Sequence, residues 1–312
     1  MSATVAGLRL ATVALALSLA RHAAAQQALT ADSLLALGRI ADAEDAYYAA
    51  VRASPRDPQA RAQLGTFLAA RGAVRVGTVL LEEARFFGGD SATLARALIP
   101  WYARLGDYEA VAAVKPNVIG PAERALAQWL VTHPPGVRFR DSLARIPYRS
   151  PKLNGGLGTV LIRVGGVEVA ARIDPAGFGV VLPSSMRTEL KMFGDSTSAI
   201  GVASFRIGRQ VFDNIPAALA FAGDAARLGF DVLAPYSPAF APRSGRLTLH
   251  KPDRRWRPQA GTRVPALYDA SGLRLLYGGT WVSAGATNAA RLLGSRSWTW
   301  DARRGDVVLI TP

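Results

Sequence analysis

The chain has 312 residues, 50% of them hydrophobic and 19% charged, a globular composition with room for two or three domains and a real core. It contains no cysteine, which excludes disulfides, thiolate metal sites and lipid attachment through an N-terminal cysteine. The net charge of +14 comes mostly from arginine spread along the chain, with one short cluster at Arg254-Arg255-Trp256-Arg257. Such a charge can attract nucleic acid, anionic lipid or acidic polymers, but it reads first as a solvated surface, and no nucleic acid partner is expected.

Residues 1–25 read as a signal peptide. Arg9 precedes the apolar run Leu10 to Ala20, and the small residues Ala23-Ala24-Ala25 stand before Gln26. The expected destination is the periplasm or the exterior. That run is too short to span a bilayer, and no later segment approaches the roughly 20 apolar residues a membrane helix needs.

Residues 28–132 carry helical patterns punctuated by Gly38, Gly72 and Gly106, each 34 positions from the next. Around them the chain resembles the tetratricopeptide repeat family. Gly38, Ala43, Tyr47, Ala50 and Pro55 fall at the family's positions in a first unit, and Gly65, Leu68, Gly72, Gly77, Leu81 and Ala84 in a second. A third begins at Tyr102 and Leu105-Gly106-Asp107-Tyr108, then departs from the pattern at Lys115 and Pro116. Pro121 opens a further helix with Trp129 and Leu130 as an end cap. Such a stack presents either a concave surface for a partner peptide or a spacer or lid packed on the next domain. Residues 133–157, rich in proline and arginine, read as a linker.

From Thr159 the hydrophobic period becomes two. Val160 to Val164, a Gly165-Gly166 turn and Val167 to Ile173 make a hairpin signature ending at Asp174. Further strands are expected at Phe178 to Leu182, Phe205 to Phe212, Ala217 to Phe221 and Gly245 to Leu249, with Leu228-Gly229-Phe230-Asp231-Val232-Leu233 between. In this order the elements of residues 158–252 resemble the retropepsin-like aspartic protease family, in which a hairpin feeds a catalytic Asp-Thr-Gly loop and an apolar-apolar-Gly motif returns beneath it. The resemblance implies an acid protease barrel and a catalytic role for Asp174.

Residues 260–312 read as a shortened second copy or as an extension of the same barrel. Val264-Pro265-Ala266-Leu267-Tyr268-Asp269-Ala270-Ser271-Gly272 repeats the pattern of Val169 to Gly177, Leu292-Leu293-Gly294 stands at the apolar-apolar-Gly place, and Ser297 to Leu309 parallels Ser237 to Leu249. Asp269 is thereby the second candidate catalytic residue. Aspartic protease chemistry needs two carboxyls sharing one proton, one acting as base toward water and the other as acid toward the substrate carbonyl. The loops depart from the family pattern: Pro175 replaces the threonine, Ala176 replaces the glycine, and Gly177 arrives one residue late. In the second loop Ser271 is a substitute hydroxyl and Gly272 the matching glycine. The alternative is that Asp174 and Asp269 are structural loop carboxylates.

The expected architecture is therefore a multi-domain α plus β chain: tetratricopeptide-like helical repeats followed by an all-β retropepsin-like barrel with a shortened pseudo-duplication. The expected function is an exported aspartic-peptidase-like protein that acts on or binds extended polypeptide, weak or degenerate in catalysis. A non-catalytic scaffold whose helices recruit a protein partner is the competing expectation. A homodimer becomes relevant if the second copy does not function as a lobe. His133 and His250 lie in no metal or triad pattern, and no cofactor or metal is implied.

Overall fold

A computed structural model describes residues 29–139, 141–150, 157–220, 225–251, 260–301 and 304–310. The expected signal peptide lies outside the described residues.

The N-terminal part is helical: α1 (Ala31–Ala36), α2 (Ile40–Ala53), α3 (Pro58–Ala70), α4 (Val74–Phe86), α5 (Ser91–Leu105), α6 (Tyr108–Ala112) and α7 (Pro121–Thr132). Local chemistry sets the starts. The side chains of Asp57, Asp90 and Asp107 accept from the backbone N–H groups of Gln59, Ala92 and Ala110, and Pro58 and Pro121 occupy first-turn positions that need no donor. The 34-residue spacing has a backbone cause, since Gly38, Gly72 and Gly106 take φ of 73°, 94° and 74° just past the ends of α1, α3 and α5. Where α3 crosses α4, a Cβ on Gly77 would lie 2.4 Å from the Gly65 carbonyl oxygen, so only glycine permits that approach.

Residues 133–157 are not merely a linker. They contribute β1 (Gly136–Arg138), which pairs with the stretch from Val211 to Asp213, and β2 (Leu143–Arg149), whose residues Ala144, Ile146 and Tyr148 point inward while Arg145, Pro147 and Arg149 face solvent. This alternation is that of a strand buried on one side.

The strands that follow are β3 (Thr159–Val164), β4 (Val167–Asp174), β5 (Val180–Pro183), β6 (Lys191–Met192), β7 (Ile200–Ile207), β8 (Gln210–Ala220) and β9 (Arg227–Gly229). The pairings β3–β4, β4–β9, β9–β5, β5–β8, β8–β7 and β7–β3 close a ring, with β4–β9 and β5–β8 parallel. Ile162, Ile173, Val180, Leu182, Phe205, Phe212 and Leu228 fill its interior.

After the short helix α8 (Phe230–Leu233) come β10 (Ala239–Ala241), β11 (Arg246–His250), β12 (Gly261–Asp269), β13 (Gly272–Tyr277), β14 (Thr280–Ser283), α9 (Thr287–Ser295), β15 (Ser297–Asp301) and β16 (Asp306–Ile310). Six strands run in the order β2, β11, β10, β15, β16, β12. Their registers repeat. Phe240 faces Leu247 as Trp300 faces Val307, each pair 60 positions on (300 minus 240, 307 minus 247), and Arg246 opposes Pro147 as Asp306 opposes Pro265. Ala239 pairs with Thr299, its own counterpart, so the repeat is two-fold about the β10–β15 pair.

Leu292-Leu293-Gly294, placed by its sequence at the same motif position as Leu228-Gly229 of β9, has a different local structure. It lies inside α9, where Ala289, Ala290 and Leu293 turn inward at the spacing of a helix.

The helices dock directly on this β region. The indole N–H of Trp281 donates to the Leu35 carbonyl at 2.6 Å, and Arg71 donates to the carbonyls of Ala266 and Gly305 at 2.9 and 2.6 Å.

Candidate functional site: two touching aspartate loops

Asp174 ends β4 beside Gly229 of the parallel strand β9. Its Oδ1 accepts from the Ala176 N–H at 3.0 Å, and its Oδ2 faces the Arg227 guanidinium at 3.9 Å. Pro175 is buried, and its carbonyl accepts from the Leu273 N–H at 2.9 Å. Ala176 is exposed. Gly177 lets the loop nest on β9, since a Cβ there would lie 3.1 Å from Gly229 Cα.

Asp269 ends β12, paired with Gly272 at the start of β13. Its Oδ1 accepts from the N–H and hydroxyl of Ser271 at 2.8 and 2.5 Å, and its Oδ2 accepts from the Arg274 guanidinium. The Ser271 hydroxyl therefore serves its own loop and does not reach across to the other, because a side chain two residues after an aspartate closes the local turn first. Gly272, at φ 97°, is where the loops meet: a Cβ there would stand 2.4 Å from the Pro175 oxygen and 2.5 Å from Ala176 Cα.

The structure thus brings the two predicted loops into backbone contact, with each carboxylate engaged by its own turn and its own arginine. Both side chains are mostly buried, at 20% and 16% exposure for Asp174 and Asp269.

A third aspartate completes the neighbourhood. Asp231, in α8, accepts from the Gly179 N–H with both carboxylate oxygens at 3.0 Å. Loss of hydration pushes its carboxyl up from 3.8 to about 6, against the opposing pull of the Gly179 N–H and the Arg104 charge. The sequence signal was available: Asp231 is the sole charge in the run Leu228 to Leu233.

Helix α5 covers these loops. Arg104 in its last turn donates to the carbonyls of Tyr268 and Asp269 at 2.6 and 3.1 Å. Its guanidinium also lies over the rings of Tyr268 and Trp101, 3.6 and 4.7 Å from their centroids. Burial raises the phenols of Tyr268 and Tyr108, and the nearby Asp231 carboxylate pushes the same way.

Between the helices and the β region runs a cleft of about 460 Å³, with Phe178, Tyr108, Tyr236, Tyr268, Trp300 and Asp231 among its walls. It adjoins a second hollow of about 300 Å³ bounded by Ile99 and Pro100 of α5 and by Gly177, Asp269 and Gly272 of the two loops. The two share Ala103, Arg104, Phe178, Asp231 and Tyr268. The lining is mainly apolar and aromatic, with the acids Asp231 and Asp269 and the bases Arg96 and Arg104, which suits side chains of a polypeptide or another amphipathic ligand. Among the described residues no cluster of His, Asp and Glu is arranged to hold a metal ion, and no helix is long and apolar enough to cross a membrane.

No protein-family model matches the chain, and no curated protein does. Among solved structures, a retropepsin-like aspartic protease from Rickettsia conorii is similar at 18% identity and a TM-score of 0.26, over 37% of this chain and 91% of that one.

Proposed function

We propose that the protein is an aspartic-peptidase-like binder of extended polypeptide, retropepsin-like in its β region and weak or silent in cleavage. The observation that carries this reading is the pairing at the two loops. Pro175 and Leu273 join them through the backbone, while Asp174 faces Arg227 and Asp269 faces Arg274. Proton sharing needs two carboxyls turned toward each other, and here each is turned toward its own cation. Pro175 supplies neither hydroxyl nor N–H to hold a cross-loop geometry. Misplacement of catalytic groups by about 1 Å costs on the order of a hundredfold in rate.

In this proposal the tetratricopeptide-like helices form one wall of the polypeptide cleft. Their contacts with the chain's own β region, through Arg71, Arg104 and the Leu35 carbonyl, favour that role over recruitment of a separate partner. The working form is exported, on the strength of the signal-peptide pattern in residues 1–25.

The test is to incubate the mature protein with an unfolded polypeptide between about pH 3 and pH 7, beside the Asp174→Asn variant, and to measure peptide binding by fluorescence anisotropy. The expected result is binding by both proteins, with cleavage absent or slow, acidic in its optimum and abolished in the variant. Robust cleavage that survives Asp174→Asn would assign the chemistry to other groups. Failure of both proteins to bind extended peptides would end the polypeptide-binding reading.

A further inference from the structure

The outer face of the β region carries an arginine surface that the aspartate loops do not use. Strand registers place its members on one side. Arg246 opposes Pro147, which lies between the outward Arg145 and Arg149; Arg149 opposes Thr159; and Arg163 opposes Arg206. Arg172 also opposes Thr159. All six of these arginines are exposed. Among the described residues an ion pair engages one of them, Arg163 with Glu168. The other five stand on outward positions of adjoining strands with no ion-pair partner among the described residues.

Three features select among polyanions. Leu161, 42% exposed, sits among the arginines, opposite Ala170. A depression of about 250 Å³ lies between Pro147, Leu161, Arg163, Glu168 and Arg206, large enough for a phosphate group beside two guanidiniums, one of them already paired with Glu168. The outward positions of these strands carry no phenylalanine, tyrosine or tryptophan, and such rings are the platform on which single-stranded nucleic acid stacks. A broad basic face with an apolar centre matches a surface that has phosphates above and acyl chains beneath.

We propose that this face docks the protein on an anionic phospholipid bilayer, with arginines on headgroup phosphates and Leu161 toward the acyl boundary. The docking is peripheral and independent of the polypeptide cleft.

The experiment is vesicle co-sedimentation of the mature protein at low salt, with phosphatidylglycerol-containing and with pure phosphatidylcholine vesicles. Three proteins are compared: the natural one, Arg145→Gln/Arg163→Gln/Arg206→Gln, and a control with equal charge removed elsewhere, Arg52→Gln/Arg56→Gln/Arg75→Gln. All six positions are exposed, and circular dichroism checks that each variant folds. The expected result is binding to the anionic vesicles alone, weakened by salt, reduced at least about tenfold by the face variant and largely kept by the control. Equal loss in both variants would reduce the effect to net charge and overturn the proposal. So would absence of binding to anionic vesicles, or preferential binding to a competing single-stranded nucleic acid.

Discussion

The guanidinium of Arg104 lies 3.6 Å over the ring of Tyr268 while one of its nitrogens donates to the carbonyl of that same residue at 2.6 Å. One side chain from the last turn of α5 thus grips Tyr268 by ring and backbone and reaches the next carbonyl, that of Asp269, as well. Arg104 therefore couples the helical region directly to the second aspartate loop.

Arg104→Ala removes two hydrogen bonds and two cation–ring contacts and leaves two carbonyls to find water. It is expected to cost about 2–3 kcal/mol, read as a lower urea midpoint. Arg104→Lys should recover only part of this, since an ammonium cannot span two carbonyls and stack on a ring together. Full recovery by lysine would reduce the contact to simple charge.

Asp231 makes stability depend on pH. Its folded carboxyl titrates near 6 against an ordinary 3.8, so the folded protein holds this proton more tightly than the unfolded chain does. Its contribution is most favourable below the unfolded value and is lost as pH rises through about 6, with a span on the order of 2–3 kcal/mol. Asp231→Asn keeps an acceptor for the Gly179 N–H and removes the titration. Denaturation midpoints between pH 4 and 6.5 should fall less steeply in that variant than in the natural protein, and parallel curves would show that Asp231 is not the group responsible.

Gly272→Ala tests the contact between the loops. The substitution meets both a φ of 97° and the backbone of Pro175 and Ala176 within 2.5 Å. Strain and clash together should cost about 3 kcal/mol or more, seen as a large fall in melting temperature. Gly278→Ala, at a positive φ with open space around it, is the control and should lose only the conformational part, about 1 kcal/mol.

The helical and β regions were legible because their hydrophobic periods differ and because left-handed glycines recur at a fixed spacing. β2 was hidden by composition. Its inward series Ala144, Ile146 and Tyr148 has a clear period of two, but Pro147 and the arginines between gave the stretch the look of a linker. Pro147 is tolerated at an outward position, and the Tyr148 N–H beside it donates to the Gly245 carbonyl at 2.8 Å. The helical setting of Leu292-Leu293-Gly294 is not legible in the motif itself, because three residues hold no periodicity, whereas Ala289, Ala290 and Leu293 do. At the site, the two aspartate loops were visible as a repeated pattern. Asp231 was passed over because the groups that act on it, Gly179, Arg104 and Tyr268, are distant in sequence.

The two-fold register about Ala239 and Thr299 has one more consequence. The strands at its ends, β2 and β12, continue into pairings with β3 at Tyr148 and Arg149 and with β13 from Ala266 to Asp269. The chain has in effect already dimerised with itself: the seam that two sister molecules would otherwise share, β10 against β15, is made within one molecule.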